Sequence, residues 1–512
     1  MKRFANFCLP LVLALACTPA IAALSVDAIF GDHMVIQRDK PVVVFGSAVA
    51  GESVRVTFGQ DSVMAQASAS GRWIVKLPAR PANAVPAEIR VDSAGSALVL
   101  KDVLVGDVWV AAGQSNMEFP LDQDVEGGAE LQAAADDAVR VASFRAPSIA
   151  VGAKPLDQVS VKLVEADRLY AGGWAIAAGK AASSASAVAY WFAKKVRAET
   201  GLPIGIVGYA IGGAPLESFI SREALQAGGF GKKLSGDWMH NPELPNWVRS
   251  RGAQNLADVA GVPSDALGRN HAYKPALAWE AGMGRITAFP IRGFLWYQGE
   301  SNAIEAGRVA EYPELQRVMV ADWRARWGDD KLPFYFVQLS SCEDSNRMRW
   351  GEFRDLQRRA VDLIPAPSGM AVSYDFGPPP ATKGDVHPAQ KRPVGERLAL
   401  LALRDVYGKP GLVAEGPQPM AATKAGDGVR IRFGSATGLA AKSDDVAGFE
   451  ISDDGIQFVP AVATIGGGTV TLRADGVKSP TVVRYAWAPW TRDANLVNGA
   501  GLPAPTFTMQ IK

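Results

Sequence analysis

Cysteine is scarce in this chain, with three residues in 512. Cys8 and Cys17 lie in an N-terminal segment that has a basic start, the apolar run "FCLPLVLALAC" and the small residues "AIA" ending at Ala22. This pattern is typical of a secretory signal and predicts cleavage after Ala22, with lipidation at Cys17 as a weaker alternative. Only Cys342 then remains, which excludes an internal disulfide in the mature chain.

An excess of charge and a membrane-spanning run are also lacking. The 53 basic and 52 acidic residues leave a formal net charge of +1, which indicates neither a nucleic acid nor an anionic membrane as partner. Beyond the signal, no apolar run is long enough to span a bilayer. We therefore expect an exported protein, periplasmic or extracellular, of unknown oligomeric state.

What is present predicts an α/β protein with flanking β modules. Short β-branched runs separated by turn residues indicate sandwich-like β modules at 23–104 and 409–512, after the signal at 1–22. Between them, at 105–408, apolar runs alternate with helical patterns, which predicts a doubly wound parallel sheet. The stretches 125–185 and 225–275 do not follow this alternation and are interpreted as insertions in that domain.

Four predicted loops beyond strands of this domain carry polar or glycine residues. They are "GQSN" at 113–116, the pair Gly212-Gly213, "GESN" at 299–302 and "DVHP" at 385–388. Because ligands of such sheets bind beyond the carboxyl ends of the strands, these loops predict one acyl-transfer site.

Histidine is almost as scarce as cysteine, which narrows the choice of a general base. Of His33, His240, His271 and His387, only His387 lies in a loop that feeds a helix of the α/β domain. An imidazole is a natural base near neutral pH. The alternative is a surface loop histidine.

Ser115 is the candidate nucleophile, since a serine hydroxyl paired with a base can attack an ester. The segment lacks the second glycine of the Gly-x-Ser-x-Gly nucleophile elbow, because Met117 stands in its place. The sequence therefore disfavours the common α/β-hydrolase class. Alone, Ser115 would more often be a turn or N-cap residue.

An oxyanion needs fixed hydrogen-bond donors. The candidates are the Ser115 N–H, the N–H of Gly212 or Gly213, and the Asn302 side-chain amide. Separately, the glycine pair is more often a plain turn and Asn302 an N-cap.

The acid that orients the histidine is left open between two residues. Asp385 lies two residues before His387, and Asp375 ends the preceding predicted strand.

No cluster of His, Cys and carboxylates has the spacing of metal ligands, so we expect neither a metal nor another cofactor.

The motifs "GQSNME", "LWYQGESNA" and "DVHPAQKRPVGERLAL" resemble the sialate O-acetylesterase family of carbohydrate esterases, within the SGNH hydrolase superfamily. "DHMVIQRDKPVVVFGSA" near the start and "FEISDDGIQFVPA" and "NLVNGAGLPAPTF" near the end extend the resemblance over most of the mature chain. The sequence departs from the family pattern at "GYAI" and at Gly-Gly-Ala, where Gly-Gly-Thr is more usual.

The resemblance implies an SGNH-like fold with Ser115 as nucleophile, His387 as base, and Asn302 with Gly212 or Gly213 as oxyanion donors. It also implies a serine esterase that removes acetyl groups from O-acetylated glycans through an acetyl-enzyme. Two alternatives stay open: a glycosidase using Glu118 and Glu300, and a non-catalytic glycan-binding protein.

Overall fold

The structure, a computed structural model, describes residues 23–133, 136–146, 152, 154–342, 349–377 and 385–512. The predicted signal at 1–22 lies outside this part of the chain. Within it, no helix is long and apolar enough to cross a membrane.

A large mixed sheet forms the centre of the molecule. In spatial order its main strands are Trp174–Ile176, Val139–Ser143, Ile204–Ala210, Ser96–Gly113, Gly293–Tyr297, Phe334–Val337 and Ser368–Ala371. The first strand is antiparallel to its neighbour, and the other six are parallel. The apolar runs in the sequence become these strands because both faces of such a sheet are buried.

The register of the sheet brings the predicted loops together. Gly113 is paired with Ala210 on one side and with Tyr297 on the other. The segments that begin at Gln114, Ile211 and Gln298 therefore leave the sheet at one edge.

Helices fill the connections between these strands, and one more helix follows the last of them. They are Ser115–Glu118, Gly127–Gln132, Gln158–Val161, Gly179–Ala182, Ala187–Thr200, Arg222–Leu225, Asn246–Leu256, Leu277–Ala281, Ala306–Val309, Tyr312–Trp327, Trp350–Leu363 and Arg392–Asp405. Short 3-10 or π turns cover Leu121–Gln123, Leu216–Phe219, Gln226–Phe230, Gly231–Leu234 and Met283–Arg285.

Local sequence signals determine where the helix Ala187–Thr200 begins and ends. Ser186 caps its start, with Oγ accepting from the Ala189 N–H at 3.2 Å, and Gly201 ends it in the left-handed region at φ +70°. Trp191 and Phe192 on its apolar face are buried in the core. This helix packs against Arg392–Asp405, whose N-terminus adjoins the candidate site.

The N-terminal region is β-rich and continuous with the central sheet. Its strands are Ser25–Val26, Val35–Gln37, Val42–Ser47, Ser53–Phe58, Asp61–Gln66, Arg72–Leu77 and Asn83–Ser93. The strand Ser96–Gly113 pairs with Asn83–Ser93 in its first half and with strands of the central sheet in its second half. It runs through position 104, where the sequence prediction divides two domains.

The C-terminal region is also β-rich. Its strands are Gln418–Ala425, Gly428–Gly434, Ala440–Ala441, Phe449–Ser452, Val459–Pro460, Val462–Gly466, Thr469–Arg473, Val482–Tyr485, Leu496–Val497 and Phe507–Gln510. Eight of them form two four-stranded antiparallel sheets. The Thr506 N–H donates to Gln338 beside the central sheet at 3.2 Å, which ties this region to the α/β part.

Candidate active site

Ser115 leaves the central sheet through a turn that requires glycine. Gly113 has φ +142°, and a Cβ there would collide with the carbonyl oxygen of Tyr297 on the adjacent strand. The chain then enters the short helix Ser115–Glu118, which holds Ser115 at the edge of the sheet. Ser115 is partly exposed, so its hydroxyl can be reached from solvent.

Ser115, His387 and Asp385 form a continuous chain of hydrogen bonds. Ser115 Oγ lies 2.7 Å from His387 Nε2, and His387 Nδ1 lies 2.7 Å from Asp385 Oδ1. The His387 backbone N–H also donates to Asp385 Oδ1 at 3.0 Å. With Nδ1 donating to the carboxylate, Nε2 is left to accept the serine proton.

Asp375, the other candidate for the orienting acid, is engaged elsewhere. Its buried carboxylate pairs with Arg397 at 2.7 Å and with Lys442 at 3.1 Å. Burial would raise the pKa of Asp375, but these two cations hold it below its ordinary value. Of the two carboxylates, Asp385 is the one that contacts the His387 ring.

The other three histidines lie in different environments. His33 bonds Asp102 in the N-terminal region at 2.6 Å, and the side chain of His240 is 84% exposed. His271 is buried, and its desolvation lowers its pKa to about 3, so its imidazole stays neutral. Of the four, His387 contacts Ser115.

Gly212 lies beside Ser115, but its N–H already has an acceptor. A Cβ built on Gly212 would be 3.7 Å from the Ser115 Cβ. The Gly212 N–H donates to Glu118 Oε2 at 2.7 Å. Burial raises the pKa of Glu118, whereas Arg145 and this N–H oppose the rise. A contact between Glu118 and the glycine pair has no signal in the sequence.

Gly213 and Asn302 belong to a largely buried network of polar groups. Gly213 has φ +72°, and its carbonyl oxygen accepts from Ser301 Oγ at 2.8 Å. Asn302 Oδ1 accepts from Gln298 Nε2 at 2.7 Å and from the Leu216 N–H at 3.1 Å. Asn302 Nδ2 donates to Glu217 Oε2 at 3.0 Å. The oxyanion roles of both residues stay predictions.

Comparison with known proteins shows which proteins the chain resembles. A family model described as carbohydrate esterase, sialic acid-specific acetylesterase, matches residues 267–372. The sialate O-acetylesterase of Mus musculus is 29% identical over 94% of this chain and 93% of the mouse protein. That of Homo sapiens is 27% identical over 93% of this chain and 90% of the human protein.

A carbohydrate acetylesterase from Xanthomonas citri, whose structure has been solved, is 32% identical in sequence to this chain. The match covers 95% of this chain and 99% of the Xanthomonas chain, and the two structures superpose with a TM-score of 0.76. The chain belongs to the sialate O-acetylesterase family of carbohydrate esterases. It is a carboxylic ester hydrolase whose mixed α/β fold resembles that of the Xanthomonas enzyme. The family and enzyme class predicted from the sequence are thereby confirmed.

Asn116, which follows Ser115, links the loops of the candidate active site. Its Nδ2 donates to Glu300 Oε1 at 2.5 Å and to the Val386 carbonyl oxygen at 2.9 Å, and its Oδ1 accepts from Lys391 Nζ. Val386 adjoins His387, so this one amide links the serine turn to the histidine loop.

Lys391 is the site residue that sequence reasoning missed most completely. Its side chain is fully buried, and its ammonium lies 4.5 Å from the centre of the Phe119 ring. Burial lowers the pKa of Lys391 to about 7, against the opposing effect of Glu300, Asp124 and Asp385. The one sequence feature that could have pointed to Lys391 is its position four residues after His387, in "HPAQK".

Ser115 and His387 open onto a cleft of roughly 780 Å³. Its lining residues are Ser115, Glu118, Phe119, Pro120, Asp122, Gln123, Arg145, Ser184, Asp385, His387 and Ala389. This volume is large enough for a sugar ring, and Ser115 lies in the wall of the cleft. Among the residues that the structure describes, no group of three or more His, Cys, Asp or Glu side chains is arranged to hold a metal ion.

Proposed function

We propose that this esterase removes O-acetyl groups from acetylated glycans by covalent catalysis at Ser115, and that it does so after export. The observation that carries the proposal is the 2.7 Å contact between Ser115 Oγ and His387 Nε2, with Asp385 on the other ring nitrogen. Membership in a carbohydrate esterase family supports an acetylated glycan as substrate.

In the proposed mechanism, His387 takes the proton of Ser115 as the serine oxygen attacks the acetyl carbonyl carbon. The tetrahedral intermediate collapses when His387 returns this proton to the sugar oxygen, which leaves as an alcohol. A water molecule, deprotonated by His387, then attacks the carbonyl carbon of the acetyl-enzyme. The bond to Ser115 Oγ breaks, His387 returns the proton to that oxygen, and acetate is released. Asp385 holds the imidazole in the required tautomer and stabilises its protonated form.

The oxyanion donors proposed from the sequence are the Ser115 N–H, the N–H of Gly212 or Gly213, and the Asn302 amide. Each such donor is worth about 3 kcal/mol in a preorganised site. For the Gly212 N–H to serve, the Glu118 carboxylate that it now contacts must move aside during the reaction. Arg145, 3.5 Å from Glu118 Oε1, offers an alternative partner for that carboxylate.

The finer architecture is part of the same proposal: an SGNH-type doubly wound domain at 105–408, β modules at 23–104 and 409–512, and a signal at 1–22 that directs export. The parallel strands with intervening helices support the first element. The β-rich regions on either side support the second.

The two rival functions have less support. A glycosidase needs two carboxylates on opposite sides of a substrate, whereas Glu300 is buried and bonded to Asn116 away from the cleft lining. A non-catalytic glycan-binding protein has no need of a serine hydrogen-bonded to a histidine.

Product analysis tests the proposal. Incubation with acetylated mono- and oligosaccharides is expected to release acetate and deacetylated sugar in equal amounts, with no new reducing ends. His387→Ala is expected to lower the rate by about a thousandfold or more, since the base is lost. Reducing sugar released without acetate would favour the glycosidase, and binding with no acetate from any substrate would favour the lectin-like alternative.

A further inference from the structure

The Asn116 side chain donates both of its hydrogens and accepts a third hydrogen bond within the candidate site. Its Nδ2 donates to Glu300 Oε1 at 2.5 Å and to the Val386 carbonyl oxygen at 2.9 Å, and its Oδ1 accepts from Lys391 Nζ. Asn116 is fully buried, so these contacts do not compete with bulk water. The orientation of the amide therefore depends on these protein partners.

The contact between Asn116 and Val386 runs beside the contact between Ser115 and His387. Ser115 precedes Asn116 in the chain, and Val386 precedes His387. Ser115 Oγ lies 2.7 Å from His387 Nε2, and Asn116 Nδ2 lies 2.9 Å from the Val386 carbonyl oxygen. Ser340 Oγ also approaches that carbonyl oxygen, at the longer distance of 3.5 Å. The Asn116 amide therefore joins the backbone next to the histidine to the backbone next to the serine.

Lys391 determines which way the Asn116 amide faces. An ammonium only donates hydrogen bonds, so Oδ1 of the amide must point to Lys391 and Nδ2 must point away from it. A flipped amide would place Nδ2 against the ammonium, which is a donor, and Oδ1 against the Val386 carbonyl oxygen, which is an acceptor. Lys391 therefore keeps Nδ2 directed at the loop of His387.

The position of Lys391 is itself fixed by several contacts. Its backbone N–H donates to Asp124 Oδ2 at 2.8 Å, and the other oxygen of that carboxylate accepts from Trp191 Nε1 at 3.3 Å. The ammonium lies 4.5 Å from the centre of the Phe119 ring and 5.8 Å from the centre of the Tyr297 ring. Aromatic faces attract a cation at such distances. The ammonium is therefore a firm anchor for the amide.

A buried ammonium is an unfavourable choice for stability alone. Removing it from water carries a large free-energy penalty, and an apolar side chain of similar length would avoid that penalty. Natural proteins retain destabilising groups of this kind where activity requires them. The hydrogen bond of Lys391 to the residue beside Ser115 indicates such a requirement.

We propose that Lys391 is a positioning residue for the ester hydrolysis, which acts through Asn116 to hold the loop of His387 against Ser115. The inference rests on the proposed function of Ser115 and His387, and it gives Lys391 no contact with the substrate. Without the ammonium, the amide can rotate and the His387 loop loses its link to the turn that carries Ser115. A misplacement of about 1 Å is enough to lower the rate of such a step about a hundredfold.

Phenyl acetate kinetics of Lys391→Met, Asn116→Ala and the double variant test the proposal. Methionine has nearly the length of lysine and carries no charge, so we expect the fold to be retained. Each single substitution is expected to lower kcat about a hundredfold, with KM within about twofold of the wild-type value. Because both substitutions remove one link, the double variant is expected to be no slower than the slower single variant.

Lys274→Met is the matched control for loss of a buried ammonium. Lys274 is also fully buried, and its ammonium contacts Asp265, the Gly268 carbonyl oxygen at 2.9 Å and Asn270 Oδ1 at 2.8 Å. These partners belong to residues 265–270, outside the loops that carry Ser115 and His387. Lys274→Met is expected to change the free energy of unfolding in urea and to leave kcat near the wild-type value.

The outcomes separate this inference from the proposed function. Wild-type kcat in Lys391→Met, losses that multiply in the double variant, or an equal loss of kcat in Lys274→Met overturns the inference and leaves the acetylesterase intact. If Lys391→Met does not fold, Asn116→Ala decides, because the proposal requires the amide: wild-type kcat overturns it, and a lowered kcat at unchanged KM supports it. Phenyl acetate hydrolysis by Ser115→Ala at the wild-type rate overturns the proposed function and the inference with it.

Discussion

Two carboxylates near the end of the α/β part show how environment separates residues that the sequence could not rank. Asp385 contacts the His387 ring and is partly exposed at the cleft, whereas Asp375 is buried between Arg397 and Lys442. The proposed role of Asp385 is chemical, and the contacts of Asp375 are those of a structural ion pair.

Substituting each by asparagine should separate these roles. Asp385→Asn keeps the side-chain shape but no longer fixes the imidazole tautomer, so kcat is expected to fall about a thousandfold or more with little loss of stability. Asp375→Asn leaves Arg397 without its buried partner and is expected to cost about 3 kcal/mol or more of unfolding free energy.

Phenyl acetate kinetics and urea unfolding on both variants provide the readouts. If Asp375→Asn has the larger effect on kcat while Asp385→Asn chiefly alters stability, the assignment of the orienting acid is wrong.

At the scale of elements, the helix Arg392–Asp405 brings Lys391, its N-cap residue, into contact with Asn116 in the turn that carries Ser115. The pKa of this buried lysine is about 7 in the folded state and about 10.4 in an unfolded chain. Between these values the unfolded state holds more protons than the folded state. The stability contribution of Lys391 therefore rises with pH, and the penalty of its buried charge is fully present below pH 7.

Lys391→Met should expose this dependence. In the wild type, the free energy of unfolding is expected to gain up to about 1.4 kcal/mol per pH unit from Lys391 between about pH 7 and 10, and the variant lacks this gain. Urea unfolding of both proteins across that range measures the difference in slope. If the free energies of unfolding of the two proteins change with pH at the same slope, the Lys391 ammonium is not desolvated in the folded protein.

The elements also show what the sequence could and could not predict. The run that ends at Gly113 and the periodic helix Ala187–Thr200 were predictable, because apolar burial and caps leave a local signal. The contact of Glu118 with Gly212 joins residues 94 positions apart and leaves no such signal. Among the described residues, the helices of the stretch 125–185 are only four to six residues long, such as Gln158–Val161, and are too short for a periodic pattern.

On the scale of the whole molecule, both β-rich regions are joined to the sheet that carries the site. The strand Ser96–Gly113 pairs with Asn83–Ser93 in its first half and leads directly into the turn that carries Ser115. On the other side, Arg354 is buried under the sheet edge and donates to the Ala486 carbonyl oxygen at 3.1 Å. The site is therefore supported by strands from well beyond the loops that form it.

The central claim is that Ser115 is the nucleophile of this esterase, and the most direct measurement compares phenyl acetate turnover by Ser115→Ala and Ser184→Ala. Both serines line the cleft, but only Ser115 is hydrogen-bonded to His387 among the described contacts. Loss of the nucleophile is expected to lower kcat by about ten thousandfold or more. Ser184→Ala should retain most of the wild-type turnover. Wild-type turnover by Ser115→Ala would contradict the account.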